Sequence, residues 1–197
     1  MRTTLTVALL ALALCGTASA DLYVDISTSG GSWPYSPYVI TPTSGAPAWM
    51  PASFDTFCVE RTVSFTPGNY RATIDDDILY AGGSTAVALN DDVKKIYSAY
   101  LNNALGAFTG NQIQESIWGA QGYSGYTLDA TIAAVIANAG AIVSWEGVKV
   151  LNLWGLNGQD IQSQLVMVPV PGAALLGTLG IGFAATRLRR RRHTADR

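Results

Sequence analysis

Histidine is almost missing from this chain of 197 residues: the single one, His193, sits among arginines near the C-terminus. Residues 21 to 167 thus hold no imidazole to activate a serine or cysteine, which argues against a His-dependent hydrolase. The same scarcity of ligands argues against a zinc centre, and no metal or cofactor is expected. Cysteine is nearly as rare, with only Cys15 and Cys58. Cations are few as well. Between residues 21 and 167, Arg61, Arg71, Lys94, Lys95 and Lys149 face thirteen carboxylates, a net charge near −8 that disfavours a nucleic-acid partner. The whole-chain value of −2 conceals this, because the C-terminal arginines offset the acidic body.

What is present points to export. Met1-Arg2, the apolar run Leu5 to Leu14 and the small residues Ala18-Ser19-Ala20 read as a secretory signal peptide over residues 1–20. Cys15 follows Leu14, where a lipid-modification site wants a small residue, so a lipoprotein is disfavoured. The mature chain is expected to begin at Asp21, leaving Cys58 as its one cysteine and no possible intramolecular disulfide. Residues 168–197 form a second address in three parts. Val168-Pro169-Val170-Pro171-Gly172-Ala173 leads into an uncharged apolar stretch to Thr186, followed by Arg187 and the block Arg189, Arg190, Arg191 and Arg192. The 19 residues from Val168 to Thr186 would span about 28 Å as a helix at about 1.5 Å per residue, just enough for a hydrocarbon core of about 30 Å. The arginines behind the span hold that end in the cytoplasm and put the body outside.

This tail resembles the C-terminal signal of the PEP-CTERM proteins of Gram-negative bacteria: a short Pro-containing motif, a glycine-rich span and an arginine cluster. The namesake motif has Glu where this chain has Val170. The resemblance implies recognition by an exosortase, a membrane transpeptidase-like enzyme. It also implies a membrane-anchored precursor in the envelope, then a place at the cell surface or in the extracellular matrix, linked to exopolysaccharide or biofilm. An ordinary single-pass anchor is the plainer alternative.

The exported globular domain, residues 21–167, is rich in tryptophan and tyrosine and long enough for one sizeable core. Leu22, Val24 and Ile26 alternate with polar residues as a half-buried strand. Trp33 to Pro51 reads as a long surface loop with short extended pieces, Phe54 to Phe65 as a strand, and Pro67-Gly68-Asn69 as a turn into a strand from Tyr70 to Tyr80. The period then changes. Asp91-Asp92 is expected to cap a helix with the stripe Val93, Ile96, Tyr97, Tyr100 and Leu101, ended by Gly106. Thr109 and Gln112 are spaced as a capping box for a second helix, and Leu128 to Ala139 predicts a third. Strands return around Val148 to Leu153 and Ile161 to Val168, with a turn at Gly155 to Gly158. The order implies an α+β fold, a single β-sandwich or barrel with a helical insertion.

Two short motifs stand out. Phe57-Cys58-Val59 and Ile113-Gln114-Glu115-Ser116-Ile117-Trp118 resemble the paired motifs of bacterial surface thioester domains. That family often has Thr where this chain has Ile113. The resemblance implies that the Cys58 sulfur and the Gln114 carboxamide condense with loss of ammonia, and that the thioester then acylates an amine or hydroxyl on a matrix or cell-surface polymer. A carboxamide is a poor electrophile, so such a condensation needs enforced proximity in a shielded pocket. Trp118 lies at i+4 from Gln114 on a helix, placed to cover the amide, with Phe57 and Ile117 as further shielding or support. No turnover, and hence no enzyme, is expected. The competing view makes Cys58 a small buried hydrophobe and the protein a non-covalent structural or polysaccharide-binding module. Glu60 with Glu115 as a glycosidase pair, Asp75-Asp76-Asp77 as part of a calcium site, and Trp33, Tyr35 and Tyr38 as sugar-stacking aromatics carry weaker signals.

Overall fold

The computed structural model describes residues 21–28, 37–80, 85–138 and 144–169. The expected signal peptide, nearly all of the expected membrane span and the arginine cluster lie outside them. Among the described residues no helix is long and apolar enough to cross a membrane.

Among the described residues, eight strands and three helices give an α+β fold. β1 (Leu22–Thr28), β2 (Tyr38–Ser44), β3 (Phe54–Thr56), β4 (Gly68–Asp75), β7 (Val148–Trp154) and β8 (Asp160–Met167) form one antiparallel sheet in the order β3-β2-β1-β4-β7-β8. β5 (Asp77–Tyr80) and β6 (Thr85–Ala88) pair separately. Helices α1 (Asp91–Leu101), α2 (Gly110–Gln121) and α3 (Ala130–Ala137) follow β6, and a single 3-10 turn, Trp145–Gly147, leads into β7. The large sheet curls as a half-barrel. Its two edges meet because the chain leaving β3 runs beside β8: Leu165 N–H donates to Phe57 O at 3.1 Å and Val59 N–H to Ser163 O at 3.0 Å.

Curling makes two cores. The concave side holds Leu22, Val24 and Ile26 of β1 with Ile40, Cys58, Phe65, Leu151, Leu153 and Val166. The other core lies under the helices, where Val93, Ile96 and Tyr97 of α1 and Ile113 and Ile117 of α2 pack on Phe57, Val59, Val148, Val150 and Leu165. Successive residues of the segment after β3 feed the two cores in turn, as the two-residue period of an extended chain requires.

Several expected boundaries move. β2 lies within the segment read as a surface loop, and its pairing with β1 accommodates Pro42 through a register shift at Tyr23/Val24. The expected strand from Phe54 to Phe65 stops early, because from Glu60 onward side chains take over from strand bonds. Trp118 Nε1 donates to Glu60 O at 3.1 Å, and Gln162 Nε2 donates to the same oxygen. The expected strand from Tyr70 to Tyr80 breaks at Asp76, where Asn152 of β7 holds the corner. Its Nδ2 donates to Asp75 Oδ2 and Asp77 O, and its Oδ1 accepts from Leu79 N.

Helix α1 is capped by Asn90 rather than by Asp91-Asp92, which lie inside its first turn: the Asn90 side chain accepts from Asp92 N, and the helix ends at Asn102 rather than at Gly106. Leu101 is 38% exposed, so the stripe loses its last member, while Ser98 and Ala99 are buried instead. The capping box of α2 forms as expected between Thr109 and Gln112. Helix α3 is shorter than expected, starting after Asp129, which caps Thr131 N and Ile132 N.

Candidate functional site

Cys58 owes its setting to the closure of the sheet. It stands opposite Gln164 of β8, and opposite residues of an antiparallel pair project to the same side. Its neighbours Phe57 and Val59 bond to β8, so the N–H and C=O of Cys58 point the other way, toward α2. There Gln114 meets them. Cys58 N–H donates to Gln114 Oε1 at 2.9 Å, and Gln114 Nε2 donates to Cys58 O at 2.7 Å. The carboxamide thus pairs with the Cys58 backbone as a neighbouring strand would, satisfying two buried main-chain groups across a separation of 56 residues. Gln114 can do this because its helix is fixed at the N-terminus by the capping box and docked through Ile113 and Ile117.

The structure brings together most of the residues expected at the site. Cys58, Gln114 and Trp118 line one pocket of about 350 Å³, with Tyr38, Asn111 and Tyr126 among its other walls. Trp118 is wedged by its bond to Glu60 O, and its ring meets Tyr126 edge-on at 5.0 Å. Arg61 lies 5.5 Å from the Trp118 ring centre and donates to Tyr126 Oη at 2.9 Å, so the exposed arginine and the two half-buried aromatics form a rim. Phe57 and Ile117 do not line the pocket. Both are fully buried under the helices, where Phe57 meets Tyr100 edge-on at 4.9 Å, so their role is support. Gly119 keeps the pocket wall close: a Cβ there would sit 2.3 Å from the carbonyl carbon of Thr127, next to Tyr126.

Sequence reasoning missed the second amide. Gln164 is fully buried, and its Nε2 donates to Cys58 Sγ at 3.3 Å and to Gln162 O at 3.1 Å. Its Oε1 has no hydrogen-bond partner. Arg61, Tyr126 and Gln162 were missed as well. Alternation along β8 puts Gln162 and Gln164 on one face, but that face reads as solvent until the sheet is known to curl.

Burial pushes the Cys58 thiol up to about 12; the Gln164 bond pulls it down, and the nearby Glu60 carboxylate pushes it further up. Glu60 is itself buried, with its carboxyl raised by desolvation against the lowering bond from Ser163 N. Glu115 lines the pocket and Glu60 does not, so the two are not brought together as an acid–base pair on that cavity. Of the sugar-stacking aromatics, Tyr38 is buried in β2 against Phe65, and Trp33 and Tyr35 lie outside the described residues. Among the described residues no cluster of His, Cys, Asp or Glu could hold a metal ion, Asp75 to Asp77 included.

Of the sorting signal, Val168 and Pro169 are described. Val168 N–H donates to Gly147 O at 2.8 Å and its side chain packs on the inner core, so this residue is tied to the body. Pro171, Arg187, Arg189, Arg190, Arg191 and Arg192 lie outside the described residues. The chain matches no protein-family model and no curated protein.

Proposed function

We propose that this chain is an exported, exosortase-sorted surface or matrix protein, and that its barrel-type body with inserted helices is a covalent adhesin carrying a Cys58–Gln114 thioester. The reciprocal hydrogen bonds between Cys58 and Gln114, buried yet opening on a pocket, carry this reading. Condensation forms the Sγ–Cδ bond and breaks the Cδ–Nε2 bond, and the thiol proton leaves with the nitrogen as ammonia. The Cys58 N–H already donates to Oε1, the oxygen on which charge develops in the tetrahedral intermediate, so it can act as an oxyanion donor. Trp118 and Tyr126 limit the approach of water, while the open side of the pocket admits an amine or hydroxyl of a matrix or cell-surface polymer. Each molecule reacts once, without turnover.

Support for sorting comes from the sequence alone: the leader at residues 1–20, the Pro169-Val170-Pro171 motif, the apolar span and the arginine cluster. A Gram-negative envelope location follows from that tail. The non-covalent reading draws on one observation, the rim of Trp118, Tyr126 and Arg61, which has the aromatic faces and donors that sugars use.

Intact mass of protein from the native host tests the whole reading. The expected result is a chain that starts at Asp21, lacks Arg187 to Arg197 and weighs one ammonia less than its sequence. Methylamine should add to Gln114 and free the Cys58 thiol, and Cys58→Ser should abolish the deficit. Full sequence mass in freshly purified, folded protein would leave only the non-covalent module, and an intact arginine tail would reduce the sorting signal to a plain anchor.

A further inference from the structure

We infer that Gln164 is the positioning residue of the Cys58 sulfur, its Nε2–H donating to Sγ and steadying the negative charge that the sulfur carries as nucleophile and as leaving group. This rests on the thioester reading for its purpose, though the contact itself does not. Gln164 sits opposite Cys58 across the closing edge of the sheet, so both side chains enter the concave core together. One of its amide hydrogens is committed to Gln162 O, which fixes the plane of the carboxamide and aims the other at the sulfur.

The position holds its amide at a cost. Gln164 Oε1 is buried without a partner, a desolvation cost that an apolar side chain of similar length would not carry. The gain is a donor on a sulfur that otherwise packs among apolar side chains. Of the other charged groups near the sulfur, Glu60 disfavours the thiolate, and Arg61 and Glu115 stand on the pocket wall. When an amine attacks the thioester, the N–Cδ bond forms, the Cδ–Sγ bond breaks, and the proton shed by the amine ends on the sulfur. The Gln164 N–H eases that departure by stabilising the charge before the proton arrives.

The test uses protein with a free Cys58 thiol, obtained by methylamine treatment or as isolated if no ammonia is missing. Alkylation by iodoacetamide, followed from about pH 7 to about pH 9, reads the thiolate fraction. Gln164→Met should slow alkylation about fourfold at each pH, as expected for a thiol whose pKa rises by about one unit, the tenfold loss of thiolate being partly offset by its higher nucleophilicity. Gln164→Leu removes the amide with a second apolar shape and should slow it by a similar factor. Circular dichroism must show the variants folded, and Gln164→Leu decides alone if Gln164→Met does not fold. Where the ammonia deficit is present, cleavage by methylamine should slow by a similar factor. Unchanged or faster alkylation in the folded variants overturns the role of Gln164, whatever the mass of the parent protein. Slower alkylation with no ammonia deficit in the parent keeps the sulfur donor and removes the thioester.

Discussion

The two halves of the curled sheet differ in what covers them. In β1 the outer residues Tyr23, Asp25 and Ser27 are only partly buried or exposed, while Leu22, Val24 and Ile26 fill the concave core. In β7 and β8 nearly every residue is buried, including Asn152, Gln162, Ser163 and Gln164. A strand with one wet face needs polar residues only for solubility. A strand covered on both faces must give each polar residue a partner, and here those partners build the candidate site. Asn152 holds the corner of β4 and β5, Gln162 and Ser163 hold Glu60, and Gln164 holds the Cys58 sulfur. The candidate site thus lies where the sheet closes under the helices, not where it faces solvent.

The largest effect should come from breaking the cover itself. Ile96→Asp puts an unpaired carboxylate into the fully buried layer between α1 and the sheet, and thermal or urea melts should show a loss of about 3 kcal/mol or more. Gly119→Ala tests how closely the cover is fitted. With a Cβ only 2.3 Å from the Thr127 backbone, overpacking should destabilise the fold by about 1–3 kcal/mol, and the segment carrying Tyr126 should shift, seen as faster alkylation of the free Cys58 thiol.

A smaller and pH-dependent effect is expected at Glu60. Burial raises its folded carboxyl above the ordinary 4.5, so between the two values the folded state holds a proton that the unfolded state has lost. Stability from this group is therefore complete below about 4.5 and falls as pH rises through the folded value. Melting temperatures measured across that window should fall less steeply in Glu60→Gln than in the parent; an equal slope would show that the carboxyl is not held protonated. Smallest of all is Leu101→Ser, on the exposed end of α1, where melts should move by no more than about 0.5 kcal/mol. A large loss there would mean that the helix packs through the full stripe expected from its period.

The bare half and the helices were legible because their patterns are local. Alternation in Leu22 to Ser27 and the 3.6-residue stripe Val93, Ile96, Tyr97 each follow from one element lying on one core. The capping box of Thr109 and Gln112 was legible for the same reason, since both partners lie within one turn. Errors fell where one segment serves two cores or where a side chain ends an element. Phe54 to Phe65 looks like a continuous strand, yet Trp118 and Gln162 take the Glu60 carbonyl and end it. Trp33 to Pro51 looks like a loop because of its prolines, yet Tyr38–Ser44 is a strand between β1 and β3, with Pro42 at an irregular register.

The candidate site divides along the same line. Its two motif residues could be picked from the sequence, because Cys58 is the one cysteine of the expected mature chain and Gln114 sits in a recognisable helical sextet. Composition, the helices with their periods, the α+β order and the sparse supply of histidine and cysteine were likewise set by the sequence, since each depends on residue type or on neighbours a few positions away. Tertiary structure alone decided that the sheet curls until residues 57–59 meet β8, and that Gln114 pairs with the Cys58 backbone. It also put Gln164 on the Cys58 sulfur. Those contacts join positions 56 and 106 residues apart, and no local preference specifies which of many polar side chains will be trapped when two edges of a sheet close under a layer of helices.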